Sequence, residues 1–388
     1  MIRGVQVRTD GRARVVNTLL HLGPLSRAEL SRSAGLAPST VTGLVAGLQA
    51  EGLVTEGERA AVHGPGRPGT RLALHRSAGL AVGLDFGKRH LTVAVSDLAH
   101  EILAERWVGH EPDLPAVEQV ARARALVDEA LARLGTDRSA VVGIGAGIPG
   151  PVHLATGHLG DSTILPGWVD LAAAETLSEA FGQPVQVDND ANIGGLAEWM
   201  WGSGRGSSHA VYVKLSTGIG AGLIVDGRPF AGFGGTAGEI GHIRIEPGGP
   251  ICRCGRRGCL EAVTGSGLVV SRVRIGHPEV RTVADVLALA RAGDARAVEA
   301  LAHCGTAVGT ALGAVCNVLN PEVVVLGGEL AAAGAVISGP LVEALRAATV
   351  RSAADDVEVR TGELAERAEV LGAVALALRS ASAADLRG

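Results

Sequence analysis

The sequence predicts an α/β protein that begins with a small helical module. Three observations support this architecture. Short helices bounded by glycine and proline occupy the first 50 residues, buried strands run into glycine-rich stretches between residues 81 and 328, and three cysteines cluster within residues 252–259. The 388 residues are 47% hydrophobic and 19% charged, which suits a folded protein of two or three domains. Only nine residues are aromatic, so Ala, Val, Leu and Ile must fill the core.

Charge is distributed unevenly along the chain. Residues 1–75 contain nine Arg against five Asp or Glu, a balance of plus four, whereas the whole chain carries −5. A basic head on an acidic body is typical of a DNA-binding module attached to a sensing or catalytic domain, although a solvated surface alone could produce it. The N-terminus has no apolar signal-peptide segment and no uninterrupted apolar run reaches membrane-spanning length. We therefore expect a cytoplasmic protein.

The helical module has clear start and stop signals. A first helix is predicted from Arg12 to Leu22, and Ser26 and Glu29 form a capping box that opens a second helix. Gly35 suits the left-handed residue that ends this second helix, and Pro38 suits the first turn of a third. Two short helices joined by a glycine turn are the helix-turn-helix unit.

The third helix is expected to enter the major groove of DNA. Its leading exposed residues Ser39, Thr40 and Thr42 are small, so they allow close approach but little bidentate reading of bases. Arg27, at the start of the second helix, is a further candidate DNA contact. Phosphate contacts are expected to supply much of the affinity.

A two-stranded wing is predicted after the third helix. Residues 53–56 and 70–74 have strand character, and the Gly/Pro-rich segment between them carries Arg67. At a loop tip Arg67 could reach a narrow minor groove, where the negative potential is enhanced. The alternative is a flexible linker whose arginine only maintains solubility.

The body shows strands that end in glycine or polar stretches. Predicted strands 81–87 and 91–97 open it, and glycine-rich segments are expected as loops at 143–150 and 216–222. A further strand ends in the polar run 188–192. Because α/β proteins build ligand clefts at the carboxyl ends of their strands, these segments together predict one binding site.

One loop is expected to hold a metal ion. His242, Cys252, Cys254 and Cys259 offer the four soft or borderline ligands that tetrahedral Zn²⁺ prefers, and four protein ligands leave no open position, so the site would be structural. A disulfide with a spare thiol, or buried cysteines acting as small apolar residues, are the alternatives. The short spacing of Cys252 and Cys254 disfavours the disulfide. The remaining two cysteines lie in apolar helical sequence, where core packing is expected.

The order of motifs resembles the ROK family of repressors, open reading frames and sugar kinases. The motifs are Gly-Ile-Pro-Gly-Pro, Asp-Asn-Asp-Ala-Asn, Ser-Thr-Gly-Ile-Gly-Ala-Gly, Glu-Ile-Gly-His and Cys-x-Cys-Gly-x-x-Gly-Cys-x-Glu. The resemblance implies a winged helix-turn-helix domain in residues 1–75 and a two-lobed, actin-like (ribonuclease H-like) sugar-kinase fold. The lobes are expected at 79–187, joined by a C-terminal helix near 365–388, and at 188–364 with the zinc loop.

The same resemblance implies roles for individual residues. His242 and the three clustered cysteines correspond to zinc ligands. Groups that bind sugar correspond to Asn189, Asp190, Glu239, His242 and Glu261. Asp190 also corresponds to the kinases' catalytic base, which takes the proton of the attacking sugar hydroxyl. The alternative role of Asp190 is to cap the helix that follows it.

The phosphate loops depart from the kinase pattern. Family kinases carry Asp-x-Gly-Gly-Thr where this chain has Asp85, Gly87, Lys88 and Arg89, and the larger side chains are expected to obstruct backbone contact with ATP phosphates. In the second loop Ser216 replaces a usual glycine. The residues expected in that loop include Thr217, Gly218 and Gly220. Ile164 stands where many members have an asparagine facing the sugar.

These departures favour a regulator over an enzyme. We expect a repressor of carbohydrate metabolism that binds operator DNA as a homodimer or homotetramer and responds to a sugar or sugar phosphate. Paired recognition helices would be spaced by about one or more helical turns, roughly 34–36 Å each. Structural zinc is the expected cofactor and ATP is not expected. The alternative is an ATP-dependent sugar kinase of the glucokinase or N-acetylhexosamine kinase type, with or without a second function in DNA binding. A zinc hydrolase is disfavoured because the cluster has no vacant position.

Overall fold

The computed structural model describes residues 11–59, 70–112, 114–153, 156–160, 165–169 and 171–386. It contains a small N-terminal domain and two lobes, each built on a five-stranded sheet.

The N-terminal domain is a winged helix-turn-helix. Its elements are α1 (Gly11–Leu22), β1 (Leu25–Ser26), α2 (Arg27–Ala34), α3 (Pro38–Ala50), β2 (Val54–Arg59) and β3 (Thr70–Leu74). The predicted capping box is present at Ser26 and Glu29, and Gly35 ends α2 with φ +61°. β2 and β3 pair antiparallel as the wing. β1 pairs with β3 and was not predicted from the sequence, because it is only two residues long. Arg67 lies outside the described residues.

The first lobe surrounds a mixed sheet of strand order β6-β5-β4-β7-β8. Its elements are β4 (Leu80–Phe86), β5 (His90–Asp97), β6 (Ile102–Gly109), α4 (Ala116–Arg133), β7 (Val141–Ile148), α5 (Ala173–Phe181) and β8 (Val185–Asn189). β4 pairs parallel with β7 and antiparallel with β5, and every residue of β4 is buried.

The second lobe surrounds a sheet of strand order β11-β10-β9-β12-β13. Its strands are β9 (Ala210–Leu215), β10 (Ile219–Val225), β11 (Arg228–Pro229), β12 (Val323–Gly327) and β13 (Glu358–Thr361). The helices that follow β8 are α6 (Asp190–Trp201), α7 (Leu260–Thr264), α8 (Ser266–Arg274), α9 (Val283–Arg291), α10 (Ala295–Leu319), α11 (Ala335–Ala348), α12 (Arg351–Asp356) and α13 (Ala368–Ser380).

Two predicted glycine loops are in large part strands. Gly143 and Gly145 lie within β7, where an added Cβ at Gly145 would come 2.1 Å from the Ala373 carbonyl oxygen of α13. Gly220 and Gly222 lie within β10, and a Cβ at Gly222 would come 2.5 Å from the Ala191 oxygen of α6. These glycines therefore serve close packing of a helix on a sheet, which single-sequence reading cannot tell from loop flexibility.

The helix α10 is long, with 25 residues, and rich in apolar side chains. Among the described residues it is the one helix long and apolar enough to cross a membrane, but half of its apolar window is buried inside the protein. The two cysteines outside the cluster, Cys304 and Cys316, are both buried in α10 as expected. The helix packs against α11 and belongs to the core of the second lobe.

The helix-turn-helix domain shares a hydrophobic core with the body. Val15 and Leu19 of α1 belong to the same buried cluster as Val374 and Leu378 of α13. The amide nitrogen of Ala383 also donates to the Asn17 side chain of α1 at 3.1 Å. The helix-turn-helix domain thus contacts the first lobe through apolar packing.

Candidate functional site

A cleft of about 410 Å³ lies between the two lobes. It is lined by the residues predicted to bind sugar and by those of the two altered phosphate loops: Asn189, Asp190, Glu239, His242, Glu261, Asp85, Gly87, Lys88, Arg89, Thr217, Gly218 and Gly220. Residues spread over 177 positions of the chain are therefore brought into one site. Gly220 lines this cleft from strand β10, not from a loop.

The start of α6 is held by Asn189. Its side-chain oxygen accepts the amide hydrogens of Ala191 at 2.8 Å and Asn192 at 3.3 Å, so Asn189, not Asp190, is the N-cap of α6. Its side-chain nitrogen donates to the Gly150 carbonyl oxygen at 2.9 Å. The capping role predicted as an alternative for Asp190 was wrong because Asn189 has the extended backbone that an N-cap requires.

A lysine engages the carboxylate of Asp190. Lys214 Nζ lies 2.9 Å from Asp190 Oδ2 and 3.0 Å from Glu369 Oε1, and Asp190 Oδ1 accepts the Ala191 amide hydrogen at 2.9 Å. Desolvation lowers the pKa of Lys214, but the charges of Asp190, Glu369 and Asp85 outweigh it and the pKa is raised. Lys214 therefore stays protonated, and both oxygens of Asp190 already accept a hydrogen bond.

His90 packs over the first predicted phosphate loop, residues 85–89. His90 Nε2 lies 3.0 Å from Asp85 Oδ2, and the His90 ring covers Gly87 so closely that a Cβ there would lie 2.1 Å from it. Desolvation lowers the pKa of His90, but its hydrogen bond to Asp85 and the charge of that carboxylate raise it by more. Lys88 and Arg89 occupy the turn beside this pair, where the family pattern predicts glycine and threonine.

The opposite side of the cleft carries two glutamates. Arg253 donates to Glu261 Oε2, which also accepts the Ile219 amide hydrogen at 3.2 Å. Desolvation, followed by the charges of Asp190 and Glu261, raises the pKa of Glu239 to about 7, although Arg253 opposes the shift. Glu239 Oε2 lies 3.8 Å from His242 Nε2, so the histidine connects the cleft to the cysteine loop.

The four predicted metal ligands converge. The ligand atoms of His242, Cys252, Cys254 and Cys259 all lie within 4.8 Å of one another. Cys254 Sγ and Cys259 Sγ are 3.7 Å apart, and His242 Nδ1 is 3.6 Å from Cys252 Sγ. A tetrahedral zinc with usual bond lengths places two sulfurs about 3.8 Å apart and a nitrogen and a sulfur about 3.6 Å apart. The donor set and its spacing therefore fit a closed four-ligand metal site.

The second altered loop is short. Thr217 and Gly218 form the turn between β9 and β10, and Ser216 Oγ donates to Glu329 Oε1 at 3.3 Å. Ile164, the other departure from the family pattern, lies outside the described residues.

Four of the five predicted DNA-contacting residues are described by the structure, and all four are exposed on the N-terminal domain. Ser39, Thr40 and Thr42 are exposed on α3, and Thr42 Oγ1 donates to the Pro38 carbonyl oxygen at 2.9 Å. Arg27 forms an exposed ion pair with Glu56 of the wing at 2.8 Å. The ion pair connects the start of α2 to the wing.

Several residues of the cleft were missed by the sequence reading. Lys214, Glu369, His90 and Arg253 each pair with a residue predicted to bind sugar or phosphate, or with one another. A signal existed for two of them. Lys214 is one of two lysines in the chain and interrupts an otherwise apolar strand, and Glu369 is a buried acid in an apolar helix.

Comparison with known proteins agrees with this arrangement. The model of the ROK family matches residues 81–380, and that of the IclR helix-turn-helix domain matches residues 13–57. The chain is 34% identical over 308 residues to a glucokinase of Halalkalibacterium halodurans, covering 75% of this chain and 92% of the relative. It is 26% identical to the xylose repressor of Bacillus subtilis, covering 92% of each. A solved ROK family transcriptional regulator, a homologue of the Escherichia coli MLC protein, superposes with a TM-score of 0.75 at 28% identity, covering 95% of this chain and 96% of that one.

Proposed function

This chain belongs to the ROK family, as its motifs predict, and we propose that a sugar or sugar phosphate bound in the cleft controls the DNA affinity of its helix-turn-helix domain. It is a DNA-binding regulator of that family, because its similarity to the xylose repressor and to the solved regulator extends over the helix-turn-helix domain as well as the body. The name of the repressor supports the proposal that the regulated genes serve carbohydrate metabolism.

One contact carries the preference for regulation over catalysis. A general base must accept the proton of the sugar hydroxyl, and a cation already paired with that base competes with the hydroxyl for its lone pairs. Asp190 accepts from Lys214 and from its own helix. A bound sugar would therefore have to compete with Lys214 for this carboxylate.

Four-coordinate zinc is proposed as a structural part of the site. Zinc bound through His242 Nδ1 would fix the ring so that Nε2 faces Glu239 and the cleft. The metal would shape the loop that carries Arg253 and precedes Glu261. Its proposed contribution is to orient sugar-binding groups, since a site closed by four protein ligands has no position for substrate.

The remaining features of the proposal follow from operator binding. We propose a homodimer or homotetramer in the cytoplasm, since paired recognition helices read two half-sites. We also propose the division into residues 1–75, 79–187 with 365–388, and 188–364. The packing of α13 on β4 and β7 of the first lobe supports this division.

DNA binding under sugar control can be tested directly. A DNA duplex is selected from a randomised pool by the wild-type protein, and its dissociation constant is measured with D-xylose, D-glucose, N-acetyl-D-glucosamine and their phosphates. We expect at least one of these compounds to change the affinity about fivefold or more. An unchanged affinity across the panel would rule out the proposed effector.

A sugar kinase is the second candidate. The similarity to a glucokinase and the presence of Asp190, Glu239 and Glu261 in one cleft favour it. Coupled ADP-release assays with the same neutral sugars and ATP distinguish the two. Turnover that disappears in the Asp190→Asn variant would establish the kinase, whereas the proposed regulator is expected to release no ADP above background.

A further inference from the structure

His100 lies where the DNA-binding domain and both lobes meet. His100 is in the turn between β5 and β6 of the first lobe, with a left-handed backbone of φ +69°. Its Nε2 is 2.9 Å from the Leu20 carbonyl oxygen in the last turn of α1, and its Nδ1 is 3.3 Å from Trp201 Nε1 at the end of α6. The imidazole and indole rings meet edge to face with centroids 5.5 Å apart.

The two partners of His100 require one protonation state. The Leu20 carbonyl oxygen can only accept a hydrogen bond, so His100 Nε2 carries the hydrogen. The indole N–H of Trp201 can only donate, so His100 Nδ1 is unprotonated. A second proton on Nδ1 would face the indole N–H. Desolvation, opposed by the hydrogen bond to Leu20, lowers the pKa of His100 to about 4, which agrees with a neutral ring.

Helix α6 connects this contact to the cleft. It has 12 residues and so spans about 18 Å. Its first residue is Asp190, held by Lys214 in the cleft, and its last is Trp201, bonded to His100. A displacement of one end along the helix axis must move the other, because a helix of this length is stiff.

The surroundings of α6 leave little room for it to bend or deform. A Cβ at Gly195 of α6 would lie 3.0 Å from Gly222 Cα of β10, and a Cβ at Gly372 of α13 would lie 2.0 Å from the Ile193 oxygen of α6. Near its C-terminus Glu198 accepts the amide hydrogens of Ser203 at 2.8 Å and Leu364 at 2.9 Å. The helix is thus clamped along its length and can move only together with its neighbours.

We propose that Trp201 and His100 are positioning residues that couple the cleft to the DNA-binding domain. A sugar that binds Asp190 and breaks its ion pair with Lys214 shifts the start of α6. The shift alters the hydrogen bond between Trp201 and His100, and His100 in turn changes the position of α1 through its bond to Leu20. This inference rests on the proposed function, because it names the route by which an occupied cleft affects DNA binding. It assigns the link to two hydrogen bonds that the sugar itself does not touch.

The test removes the hydrogen bonds of His100 one partner or both at a time. Trp201→Phe deletes the indole N–H, and His100→Asn tolerates the left-handed backbone but is too short to bond both partners. Trp199→Phe is the matched control, because Trp199 lies on the same helix and its indole N–H donates to the Ser207 oxygen at 2.9 Å, away from the DNA-binding domain. Thermal unfolding of each variant establishes that it is folded.

The readout is the ratio of DNA dissociation constants with and without sugar. The probes are D-xylose, D-glucose, N-acetyl-D-glucosamine and their phosphates, with the duplex selected by the wild-type protein, and sugar affinity is measured separately by calorimetry. We expect a ratio of about five or more in the wild type and in Trp199→Phe, and below about two in Trp201→Phe and His100→Asn, with sugar affinity unchanged within about twofold.

The possible failures are distinguishable. A wild-type protein that does not respond to any compound of this panel contradicts the proposed function and the coupling route with it. A folded Trp201→Phe variant that responds like the wild type refutes the route alone and leaves the proposed function standing. Loss of the response together with loss of sugar binding would assign Trp201 to the site, contrary to a coupling role.

Discussion

Arg253 and Glu261 form an ion pair inside the cleft, so a carboxylate expected to bind a sugar hydroxyl already has a partner. Arg253 lies between two cysteines of the predicted metal site, and its side chain lines the cleft. A ligand must therefore either displace the guanidinium or bind to it. Neutral sugars and sugar phosphates should differ in which of these they do.

We expect Arg253→Gln to separate the two ligand classes. Freeing Glu261 should leave binding of a neutral sugar equal or tighter, whereas a phosphorylated sugar should lose about tenfold or more in affinity because a charge-assisted hydrogen bond is worth about 1.5–3 kcal/mol. Isothermal calorimetry with D-glucose and D-glucose 6-phosphate measures both. Arg257→Gln, on the same loop, is the control. Equal losses for both sugars would contradict a role of Arg253 in discriminating phosphate.

Removal of Lys214 should destabilise the protein. Lys214→Met leaves Asp190 and Glu369 close together without their cation, and breaking such a partly buried pair costs about 3 kcal/mol of unfolding free energy. Urea denaturation measures the loss. Lys88→Met replaces the only other lysine and should change the free energy by less than about 0.5 kcal/mol. Similar values for the two variants would show that the Lys214 pairs are too solvated to matter.

The metal cluster should bind one zinc ion per chain. Cys259→Ala removes a buried ligand and should abolish stoichiometric zinc, lower the melting temperature and weaken the sugar response, while selection of DNA sequence by α3 is retained. Elemental analysis and thermal unfolding check this expectation. Cys316→Ala, in the core of α10, should keep its zinc. Full zinc content in the Cys259→Ala protein would exclude the proposed ligand set.

The stability of the protein should depend on His100 at mildly acidic pH. Its folded-state pKa of about 4 lies below the ordinary value of 6.5, so the unfolded chain takes up a proton first and stability falls as pH drops below 6.5. Between pH 7.5 and 5.0 the loss should be about 2 kcal/mol. Besides desolvation, the charge of His21 lowers the pKa of His100. Desolvation and then the charge of Arg379 lower the pKa of His21.

The control for this pH dependence is His100→Asn. Urea denaturation at both pH values should show a difference between wild type and variant that shrinks on acidification. His21→Asn tests the neighbouring group separately. A constant difference between wild type and His100→Asn would mean that other groups cause the acid sensitivity.

DNA binding should depend on the exposed residues of α3. Thr40→Glu places a negative charge where phosphates approach and should weaken binding of the selected duplex at least about tenfold. Stability should not change, because Thr40 is exposed. Sugar affinity should not change either, because Thr40 does not line the cleft. Thr306→Glu, on an exposed position of α10, is the control. Normal DNA affinity in Thr40→Glu would place the recognition surface elsewhere.

Much of the fold could be predicted because its signals are local. The capping box at Ser26 and Glu29 and the left-handed Gly35 fix the second helix within a residue. Edge strand β6 was missed because its residues are only half-buried and give no apolar run. The glycines of β7 and β10 were misread because their cause is a helix packed against the sheet, which is remote in sequence.

The candidate site divides in the same way. The cysteine cluster could be found from spacing, since three ligands lie within eight residues. The pairing of Lys214 with Asp190 and Glu369 joins a strand, a helix start and the C-terminal helix, so no local pattern reveals it. Ion pairs between residues remote in sequence are therefore visible only in the folded structure.

The shared core of α1 and α13 also bears on how such regulators can be rebuilt. Val15 and Leu19 belong to the same buried cluster as Val374 and Leu378, and α1 contacts α13, so the last helix of the chain completes the core of the DNA-binding domain. Grafting a foreign helix-turn-helix onto this body would leave that apolar surface of α13 mismatched. Successful exchange of operator specificity should require transplanting only the exposed face of α3, with α1 kept as the native partner of the body.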